Sequence, residues 1–357
     1  MPGSTRKPFS IGGTTIRAGE RAWVDIPVTR QYTHNEIHLT THVIHGRKAG
    51  PTLFVSAAIH GDEINGVEII RRLLALSLVR RLRGTLIAVP VVNLHGFIST
   101  SRYLPDGRDL NRSFPGSNQG SLASRLASIL MEEVVGQATH GIDLHTGAQH
   151  RSNLPQIRAN LDDAATASLA RAFGVPVLIN SRLRDGSLRE SAADRGIPML
   201  VYEGGESLRY DEWAIRPAVR GIVDTMRAIG MLPERASKSK STGQPMRRVK
   251  ARDPFVARSN RWVRAPVSGV LRASAELGRS VAAGDLLGVI CDPFGQLDHP
   301  IYAQRAGLVI GRTRLPLVNE GDGIYHIAHF EQLDEVATAL EGFDEAEPLR
   351  VDEAESE

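Results

Sequence analysis

The feature that most constrains this chain is an alternation of strand-like and helical segments that extends from residue 52 to residue 229. Thr52–Ala58 is a continuous apolar run of strand length, and Thr85–Val92 is another. Between them, Asn65–Leu76 carries apolar residues at helical spacing. Strands that alternate with helices are typical of layered α/β domains, in which helices cover the faces of a sheet. We therefore expect an α/β fold with a mixed, largely parallel sheet.

A second region of different character follows. The alternation ends near Pro233, and residues 236–262 are polar, basic and irregular, which is typical of a linker. Residues 263–330 show short apolar runs between glycine turns and no helical period, which predicts a small all-β domain. The sequence thus predicts a first domain over residues 1–235, the linker, the β domain, and an acidic tail over residues 331–357.

The charge of the chain is distributed unevenly. The 357 residues have a formal net charge of +3, yet residues 331–357 hold eleven acidic residues and one basic residue. The rest of the chain is basic, almost entirely through arginine. Because these arginines are scattered and aromatic residues make up 5% of the chain, we expect no nucleic-acid partner. An anionic small substrate in a positive cleft explains the bias, and genomic base composition explains it equally well.

Further features limit the compartment and the chemistry. No apolar run approaches the ~20 residues of a membrane-spanning helix, and Met1–Ser10 lacks the apolar centre of a secretory signal. Cys291 is the only cysteine, so neither an internal disulfide nor a cysteine-based zinc site can form. We expect a cytoplasmic protein without membrane contacts.

Four side chains able to bind metal or move protons lie at the ends of predicted strands. His60 and Glu63 follow the strand at residues 52–58, His145 ends a short strand, and Glu203 ends another. The carboxyl ends of parallel strands lie along one rim of a sheet, so we expect these groups to lie together. Histidine nitrogens and a carboxylate oxygen are ligands that zinc accepts. Any one of these residues alone is more often an ordinary surface or packing residue.

An arginine-rich loop lies between a predicted strand and the next helix. Residues 101–112 contain Arg102, Arg108, Asn111 and Arg112. Guanidinium groups bind carboxylates through two parallel hydrogen bonds, and an asparagine amide can bind the same group. A surface loop crossed by salt bridges has the same composition, so composition alone leaves both interpretations open.

Together these segments resemble the succinylglutamate desuccinylase/aspartoacylase family, a branch of the zinc carboxypeptidase superfamily. The resemblance covers roughly residues 30–230. The matching motifs, in the order of the family, are His60-Gly61-Asp62-Glu63, Arg102-Tyr103, Asp109-Leu110-Asn111-Arg112, Asp143-Leu144-His145 and Tyr202-Glu203-Gly204-Gly205. The resemblance implies a zinc-carboxypeptidase-like domain that cleaves the amide bond of N-acylated amino acids or related small molecules.

The resemblance also implies a metal and a catalytic group. His60, Glu63 and His145 match the ligands of one zinc ion per chain, and Glu203 matches the catalytic carboxylate. A zinc carboxypeptidase acting on short peptides is the alternative, because it uses the same groups. A catalytically inactive binding protein is a third hypothesis, and the presence of all the matching metal and catalytic residues argues against it.

Substrate-binding roles follow from the arginine-rich loop. Arg102 matches the arginine that faces the scissile carbonyl. The stretch from Arg102 to Asp109 is longer than in the nearest aspartoacylase pattern. Arg108 is therefore the alternative candidate for the arginine that faces the scissile carbonyl. Asn111 and Arg112 match the pair that binds the substrate carboxylate.

The C-terminal β domain resembles the biotinyl/lipoyl-type domain appended in this family. No lysine follows Lys250, so the domain cannot carry biotin or lipoate. We expect it to restrict access to the site or to mediate assembly, with a homo-oligomer left open. Truncation near Pro245 is then expected to leave a folded metal-binding domain.

Overall fold

The computed structural model describes residues 6–234 and 254–331, together with five further residues between 333 and 340. Most of the predicted linker and most of the predicted acidic tail lie outside these residues. Within the described ranges, no helix is both long and apolar enough to cross a bilayer. The described chain is organised around one thirteen-stranded sheet.

The first part of the chain supplies ten strands and six α-helices to the described structure. The strands are β1 (Phe9–Ile11), β2 (Thr14–Ile16), β3 (Arg21–Arg30), β4 (Glu36–His45), β5 (Thr52–Ala57), β6 (Thr85–Val89), β7 (His140–Gly147), β8 (Arg151–Ala159), β9 (Val177–Asn180) and β10 (Met199–Glu206). The helices are α1 (Asn65–Ala75), α2 (Leu94–Ile98), α3 (Leu122–Ile129), α4 (Ala164–Phe173), α5 (Leu188–Asp194) and α6 (Glu212–Ala228). Short 3₁₀ or π segments lie at Ser77–Arg81, Leu110–Arg112, Leu130–Val134 and Val135–Gln137.

The residues from 254 to 331 form strands and turns. The strands are β11 (Phe255–Ala257), β12 (Ser259–Arg264), β13 (Gly269–Ala273), β14 (Ser280–Val281), β15 (Leu286–Cys291), β16 (Asp298–Tyr302), β17 (Gly307–Thr313), β18 (Leu317–Val318) and β19 (Gly323–His329). β11 and the start of β12 fall within the stretch that the sequence assigns to the linker. Residues 255–257 and 259–262 are part of the sheet and not of a linker, because their backbone pairs with β9 and β19.

The large sheet is mixed. Its main path runs β12-β19-β17-β8-β10-β7-β5-β6-β4-β3, and β9 pairs with β8 and β11 beside this path. The central pairs β10–β7, β7–β5 and β5–β6 are parallel, as are β8–β9 and β9–β11. Antiparallel pairs flank the centre, among them β3–β4, β4–β6, β8–β10 and β8–β17. The predicted mixed sheet is confirmed, whereas "largely parallel" describes only its centre.

Two apolar cores cover the faces of the central strands. On one face, α1, α4 and α6 contribute buried residues such as Leu73, Phe173 and Ile222. On the other face, α3 and α5 pack together with the short strands β1 and β2. β5 serves both cores, because Val55 belongs to the first and Phe54 to the second. Burial on both faces explains why this strand is apolar throughout.

The C-terminal strands form a second layered unit that shares the large sheet. Four of them make a separate sheet in the order β16-β15-β13-β18. A third core contains Leu271 and Ile290 from this sheet and Val309 and Tyr325 from the strands β17 and β19 of the large sheet. Because β17 pairs with β8 and β11 pairs with β9, backbone hydrogen bonds join the two parts of the chain.

Candidate active site

The predicted metal and catalytic residues meet at the carboxyl ends of three adjacent parallel strands. β5 leads into the turn that carries His60 and Glu63, β7 carries His145, and β10 carries Glu203. His145 and Glu203 are partners in the β7–β10 register. The order of the strands therefore brings the four residues to one rim of the sheet.

The turn after β5 is shaped by two local constraints. Ala58 has a φ of 50°, in the left-handed region that residues other than glycine rarely occupy. Its carbonyl accepts a hydrogen bond of 2.9 Å from the N–H of Asn93. Gly61 has no room for a side chain, because a Cβ there lies 2.0 Å from the carbonyl carbon of Gly96. Contact with α2 and the residue before it thus fixes the backbone that carries the metal residues.

His60, Glu63 and His145 form one group in which the carboxylate lies between two imidazoles. Glu63 Oε1 lies 2.7 Å from His60 Nδ1, and Glu63 Oε2 lies 2.8 Å from His145 Nδ1. One ligand atom from each residue lies within 4.8 Å of the others, and all three residues are buried. The group can hold a metal ion.

A carboxylate also holds the second nitrogen of each imidazole. Asp109 Oδ1 lies 3.2 Å from His60 Nε2, and Asp143 Oδ2 lies 2.6 Å from His145 Nε2. The Ser56 hydroxyl donates a hydrogen bond of 2.8 Å to the other oxygen of Asp143. Partners of this kind fix the orientation of a metal-binding imidazole, so the Nδ1 atoms are the nitrogens left for a metal.

The charges within this group set the protonation of its members. Burial on its own raises the pKa of Glu63, but His60 and His145 beside it hold that pKa well below the usual glutamate value. Burial on its own lowers the pKa of His145, whereas Asp143 and Glu63 raise it well above its usual value. Glu63 is therefore ionised, as a metal ligand must be, whereas His145 has to release a ring proton when a metal ion binds. Two imidazole nitrogens and a carboxylate oxygen are a donor set that fits zinc.

Glu203 is held by two side chains of β8. Asn153 Nδ2 donates a hydrogen bond of 2.6 Å to Glu203 Oε2. Arg158 Nε lies 3.0 Å from Glu203 Oε1 and forms an ion pair with it. The Nε–H of Arg158 is not aligned for a hydrogen bond, so this contact is mainly electrostatic. Both carboxylate oxygens of Glu203 thus have a partner on the neighbouring strand.

Arg102 lies beside the metal group, and Arg108 lies away from it. Arg102 Nη2 donates a hydrogen bond of 2.9 Å to Asp109 Oδ2, and its Nη1 lies 3.3 Å from Glu63 Oε1. Arg108 is largely exposed, and its ion-pair partner is Asp106 at 3.5 Å. Of the two arginines that the sequence leaves open, Arg102 is therefore the one next to the metal group.

The proposed carboxylate pair lies on the short 3₁₀ segment Leu110–Arg112. The segment begins at Asp109, whose side chain accepts a hydrogen bond of 2.9 Å from the N–H of Asn111. Asn111 Oδ1 accepts a hydrogen bond of 3.0 Å from the N–H of Leu188, which leaves the amide N–H groups for an anion. Arg112 donates a hydrogen bond to the carbonyl oxygen of Asn111. The segment is thus tied to the start of α5.

The site opens into a cavity of about 750 Å³. Residues from later parts of the chain also line this cavity. The seven predicted site residues all line it, namely His60, Glu63, Arg102, Asn111, Arg112, His145 and Glu203. Trp262 of β12 and Arg189 of α5 line it as well. Arg189 Nη2 donates a hydrogen bond of 2.7 Å to the carbonyl oxygen of Arg182, and its buried Nη1 has no hydrogen-bond partner in the described structure.

Sequence reasoning misses several residues of this site. Asp109 belongs to a recognised motif, but nothing in its spacing indicates that it contacts an imidazole. Asn153 and Arg158 lie on β8, which the sequence does not predict because its polar residues and Pro155 interrupt the strand pattern. Trp262 lies in the stretch assigned to the linker, and its aromatic side chain in a basic segment is the one available signal.

Comparison with known proteins gives similar relatives of known structure or activity. N-alpha-acetyl-L-2,4-diaminobutyric acid deacetylase from Halomonas elongata is 27% identical over 294 residues, which cover 79% of this chain and 83% of that protein. A succinylglutamate desuccinylase/aspartoacylase from Rhodobacter sphaeroides has a similar fold, with a TM-score of 0.73 at 24% identity, covering 87% of this chain and 95% of that chain. The product-bound ectoine utilization protein EutE (DoeB) from Ruegeria pomeroyi has a TM-score of 0.73 at 25% identity, covering 87% and 94%.

A family model provides the assignment. The model of the succinylglutamate desuccinylase/aspartoacylase catalytic domain matches residues 49–229. This match covers half of the chain and includes all seven predicted site residues as well as Asp109 and β8. The chain belongs to the succinylglutamate desuccinylase/aspartoacylase family.

Proposed function

We propose that the protein is a zinc-dependent hydrolase that cleaves the amide bond of N-acylated amino acids or related small molecules. Its reaction class is hydrolysis of carbon–nitrogen bonds other than peptide bonds, in linear amides. The observation that carries the proposal is that one cavity joins the group His60, Glu63 and His145 with Glu203 and several arginines. The Halomonas relative, named as a deacetylase of an N-acetylated amino acid, supports the same activity.

One zinc ion per chain would be held by the three metal-group residues. A bound zinc lowers the pKa of a water molecule and polarises the substrate carbonyl. Glu203 takes the proton of the attacking water on a carboxylate oxygen and later delivers it to the nitrogen of the leaving amine. Asn153 and Arg158, each in contact with one oxygen of Glu203, orient the carboxylate for both transfers.

Arg102 is the proposed oxyanion partner. Its guanidinium contacts Glu63 and Asp109 and lies at the edge of the metal group, where negative charge develops on the carbonyl oxygen. A donor that meets this charge in the transition state is worth about 3 kcal/mol. The two carboxylates hold the guanidinium in place before the substrate arrives.

Asn111 and Arg112 are the proposed partners of the substrate α-carboxylate. The planar fork of Arg112 can bind both carboxylate oxygens, and the amide N–H groups of Asn111 add a further donor. Arg189 extends this set, since its buried Nη1 lines the same cavity without a hydrogen-bond partner among the described residues.

We further propose that the C-terminal biotinyl/lipoyl-like unit forms a wall of the site and carries no cofactor. Trp262 on β12 lines the cavity, and no lysine follows Lys250. A wall at this position favours small N-acyl substrates over peptides, which is what separates the proposed activity from a carboxypeptidase. A cytoplasmic location, the absence of nucleic-acid partners and the oligomeric state stay predictions from the sequence.

The proposal is tested with tag-free protein of measured zinc content and a panel of N-acetyl and N-succinyl amino acids, followed by release of the free amine. Short peptides serve as the alternative substrates, and the Glu203→Gln variant controls for a contaminating hydrolase. We expect hydrolysis of at least one N-acyl amino acid and little cleavage of peptides. Faster cleavage of peptides would instead establish a carboxypeptidase, and zinc binding without any hydrolysis would establish a binding protein.

A further inference from the structure

Exposed apolar side chains are concentrated in the C-terminal unit. Of the large hydrophobic residues that are exposed in the described chain, half lie between residues 286 and 317. They are Leu286, Phe294, Leu297, Tyr302, Leu315 and Leu317. Monomeric soluble proteins rarely expose a large contiguous apolar patch, and such a patch is typical of a surface that another molecule covers.

The sheet β16-β15-β13-β18 places several of these residues on one face. Its inward side chains, among them Leu271, Ile290 and Val318, are buried in the third core. Because side chains alternate along a strand, the residues between them point outward. The register places Leu317 beside Val270, Val270 beside Cys291, Val289 beside Pro300, and Leu286 beside Tyr302. We call these seven residues the outer face.

The outer face points away from the candidate active site. The third core lies between the four-stranded sheet and strands of the large sheet, and Val263 on β12 packs against this core. Trp262, the preceding residue of the same strand, lines the cavity instead. Consecutive side chains of a strand lie on opposite faces of the sheet. A molecule bound to the outer face is therefore separated from the cavity by two sheets.

One positive and one negative side chain flank the centre of the outer face. Arg272 on β13 lies beside Val289, and Asp298 on β16 lies beside Cys291. Both charged residues are exposed, and neither is in an ion pair among the described residues. They lie on opposite sides of β15, so the point midway between them is on this strand, between Val289 and Cys291.

This arrangement of charges is complementary to itself. In a two-fold dimer, a residue that meets a second residue of the other chain is matched by the reverse contact. A two-fold axis in the plane of the face, midway between Arg272 and Asp298, brings each arginine to the aspartate of the other chain. Two ion pairs then form from one set of residues. A partner of different sequence has no need of this balance.

We propose that the outer face is the interface of a two-fold homodimer, in which a second copy of this chain covers the apolar residues and Arg272 of each chain pairs with Asp298 of the other. The proposal does not depend on the proposed function, because neither the metal group nor the cavity takes part in the interface.

The hairpin tip between β15 and β16 extends the apolar surface of this interface. Phe294 and Leu297 at the tip are 85% and 73% exposed. The Asp292 carboxylate holds the tip together, because it accepts hydrogen bonds from the backbone N–H groups of residues 294, 296 and 297. Ordering a preformed tip on binding costs little conformational entropy. The two side chains are therefore available as apolar anchors at the edge of the interface.

Sedimentation equilibrium of the full-length, tag-free protein tests the dimer directly. We expect dimers at micromolar concentration. Tyr302→Asp places a charge on the outer face of both subunits and should raise the dissociation constant at least about 10-fold. Tyr210→Asp is the matched control, because Tyr210 is 59% exposed against 53% for Tyr302 and lies outside the C-terminal unit. A monomer at every concentration, which would leave the face to a partner of different sequence, or a dimer that Tyr302→Asp leaves intact, would overturn the proposal.

Charge reversal distinguishes a contact between chains from one within a chain. Arg272→Asp and Asp298→Arg each place like charges opposite each other twice, so each variant alone should dimerise at least about 10-fold more weakly. An equimolar mixture of the two variants should form a mixed dimer, because every altered side chain then meets an opposite charge. Thermal unfolding checks that both variants are folded. Unchanged dimerisation of the single variants, or no mixed dimer from the mixture, would overturn the proposal.

The one cysteine of the chain reports on the axis itself. Cys291 lies next to the proposed axis, so it lies opposite the Cys291 of the second copy, where a disulfide can form. Asp298 beside the thiol raises the pKa of Cys291, so mild oxidation is carried out at alkaline pH. We expect a covalent dimer. Cys291→Ser combined with Tyr210→Cys measures cross-linking by random collision. Equal yields from the two proteins, or no covalent dimer from the unmodified chain, would overturn the proposal.

Discussion

At the level of single residues, two carboxylates outside the predicted metal group orient its two imidazoles. Asp109 and Asp143 hold the Nε2 atoms of His60 and His145, while Glu63 contacts both Nδ1 atoms. A carboxylate of this kind fixes the ring orientation and increases the basicity of the imidazole. The precision of the site is therefore set by residues on β7 and in the arginine-rich loop as well as by the ligands.

We expect His60→Ala and His145→Ala to lose bound zinc, and Asp143→Asn to weaken zinc binding roughly 10- to 100-fold. Elemental analysis of tag-free protein and competition with a chelator measure the two effects. His38→Ala on β4 is the control, since this histidine lies outside the cavity lining. Unchanged zinc content in both alanine variants would show that the metal ligands lie elsewhere.

For Glu203, we expect the Gln variant to keep its zinc and its fold but to lose about 10²–10⁴-fold in kcat. The amide oxygen of glutamine can still accept the hydrogen bond from Asn153, whereas it cannot accept the proton of water. Thermal unfolding and zinc content serve as controls on structure, and Glu206→Gln on the same strand controls for loss of a carboxylate. A kcat near that of the unmodified protein would mean that another group activates the water.

At the level of secondary structure, the sequence predicts those elements whose burial is visible in one segment. β5 and β6 are apolar runs because both of their faces are covered, and the helical period of α1 follows from its single buried face. The sequence does not predict β8, because this strand contains Pro155 and several polar residues. Its register with β10 is irregular near Asn153, so the strand tolerates residues that a regular ladder excludes. Pairing between distant strands, such as β8 with β17, leaves no local signal.

In the candidate site, too, the sequence predicts what one segment contains and misses contacts between distant segments. Motifs at strand ends predict His60, Glu63, His145 and Glu203, and a motif in the arginine-rich loop predicts Arg102, Asn111 and Arg112, since each motif lies within one segment. The contacts of Asp109, Arg158 and Trp262 depend on segments far apart in sequence, and no pattern in one segment encodes them. The choice between Arg102 and Arg108 also required the structure, because it depends on how the loop folds back onto Glu63.

The turn between β5 and α1 gives a test at this scale. We expect Gly61→Ala to destabilise the protein by about 1–3 kcal/mol and to lower zinc affinity, because the new methyl group overlaps the backbone of Gly96. Chemical denaturation and zinc competition measure the two effects. Gly230→Ala has a positive φ but no heavy atom within 4 Å, so it should destabilise the fold without a loss of zinc affinity. Unimpaired zinc binding in Gly61→Ala would show that the turn can shift without moving the ligands.

At the level of the whole molecule, the two parts of the chain are not independent. β17 pairs with β8, β11 pairs with β9, and a shared core places Leu154 and Val177 against Leu308 and Ile310. Two separate hydrophobic cores joined by a linker, as the sequence suggests, do not describe these contacts. The strand that holds Glu203 in place is itself supported by the C-terminal region.

Because the two parts share a sheet and a core, we do not expect the first domain to fold alone, although the sequence indicates that it does. We expect a chain that stops after Glu234 to be insoluble or unfolded, because it leaves the edge of β9 and residues 151–153 of β8 unpaired and exposes the apolar residues of the shared core. A chain that stops after Leu340 should keep its solubility and zinc content. Expression yield, circular dichroism and elemental analysis compare the two. A soluble, zinc-binding product from the shorter chain would show that the pairing is dispensable.

Because of the pairing of β8 with β17, we expect the candidate site to be completed only late in the synthesis of the chain. β5, β7, β8 and β10, with the proposed metal and catalytic residues, leave the ribosome long before β17 and β19, which complete the sheet beside them. Until those last strands emerge, residues 151–153 of β8 lack their β17 partner and the cavity lacks the wall that β12 forms beside β19. A ribosome-bound chain that lacks those strands would therefore have neither a supported sheet nor a finished cavity, and a substitution in the final strands would delay the formation of both.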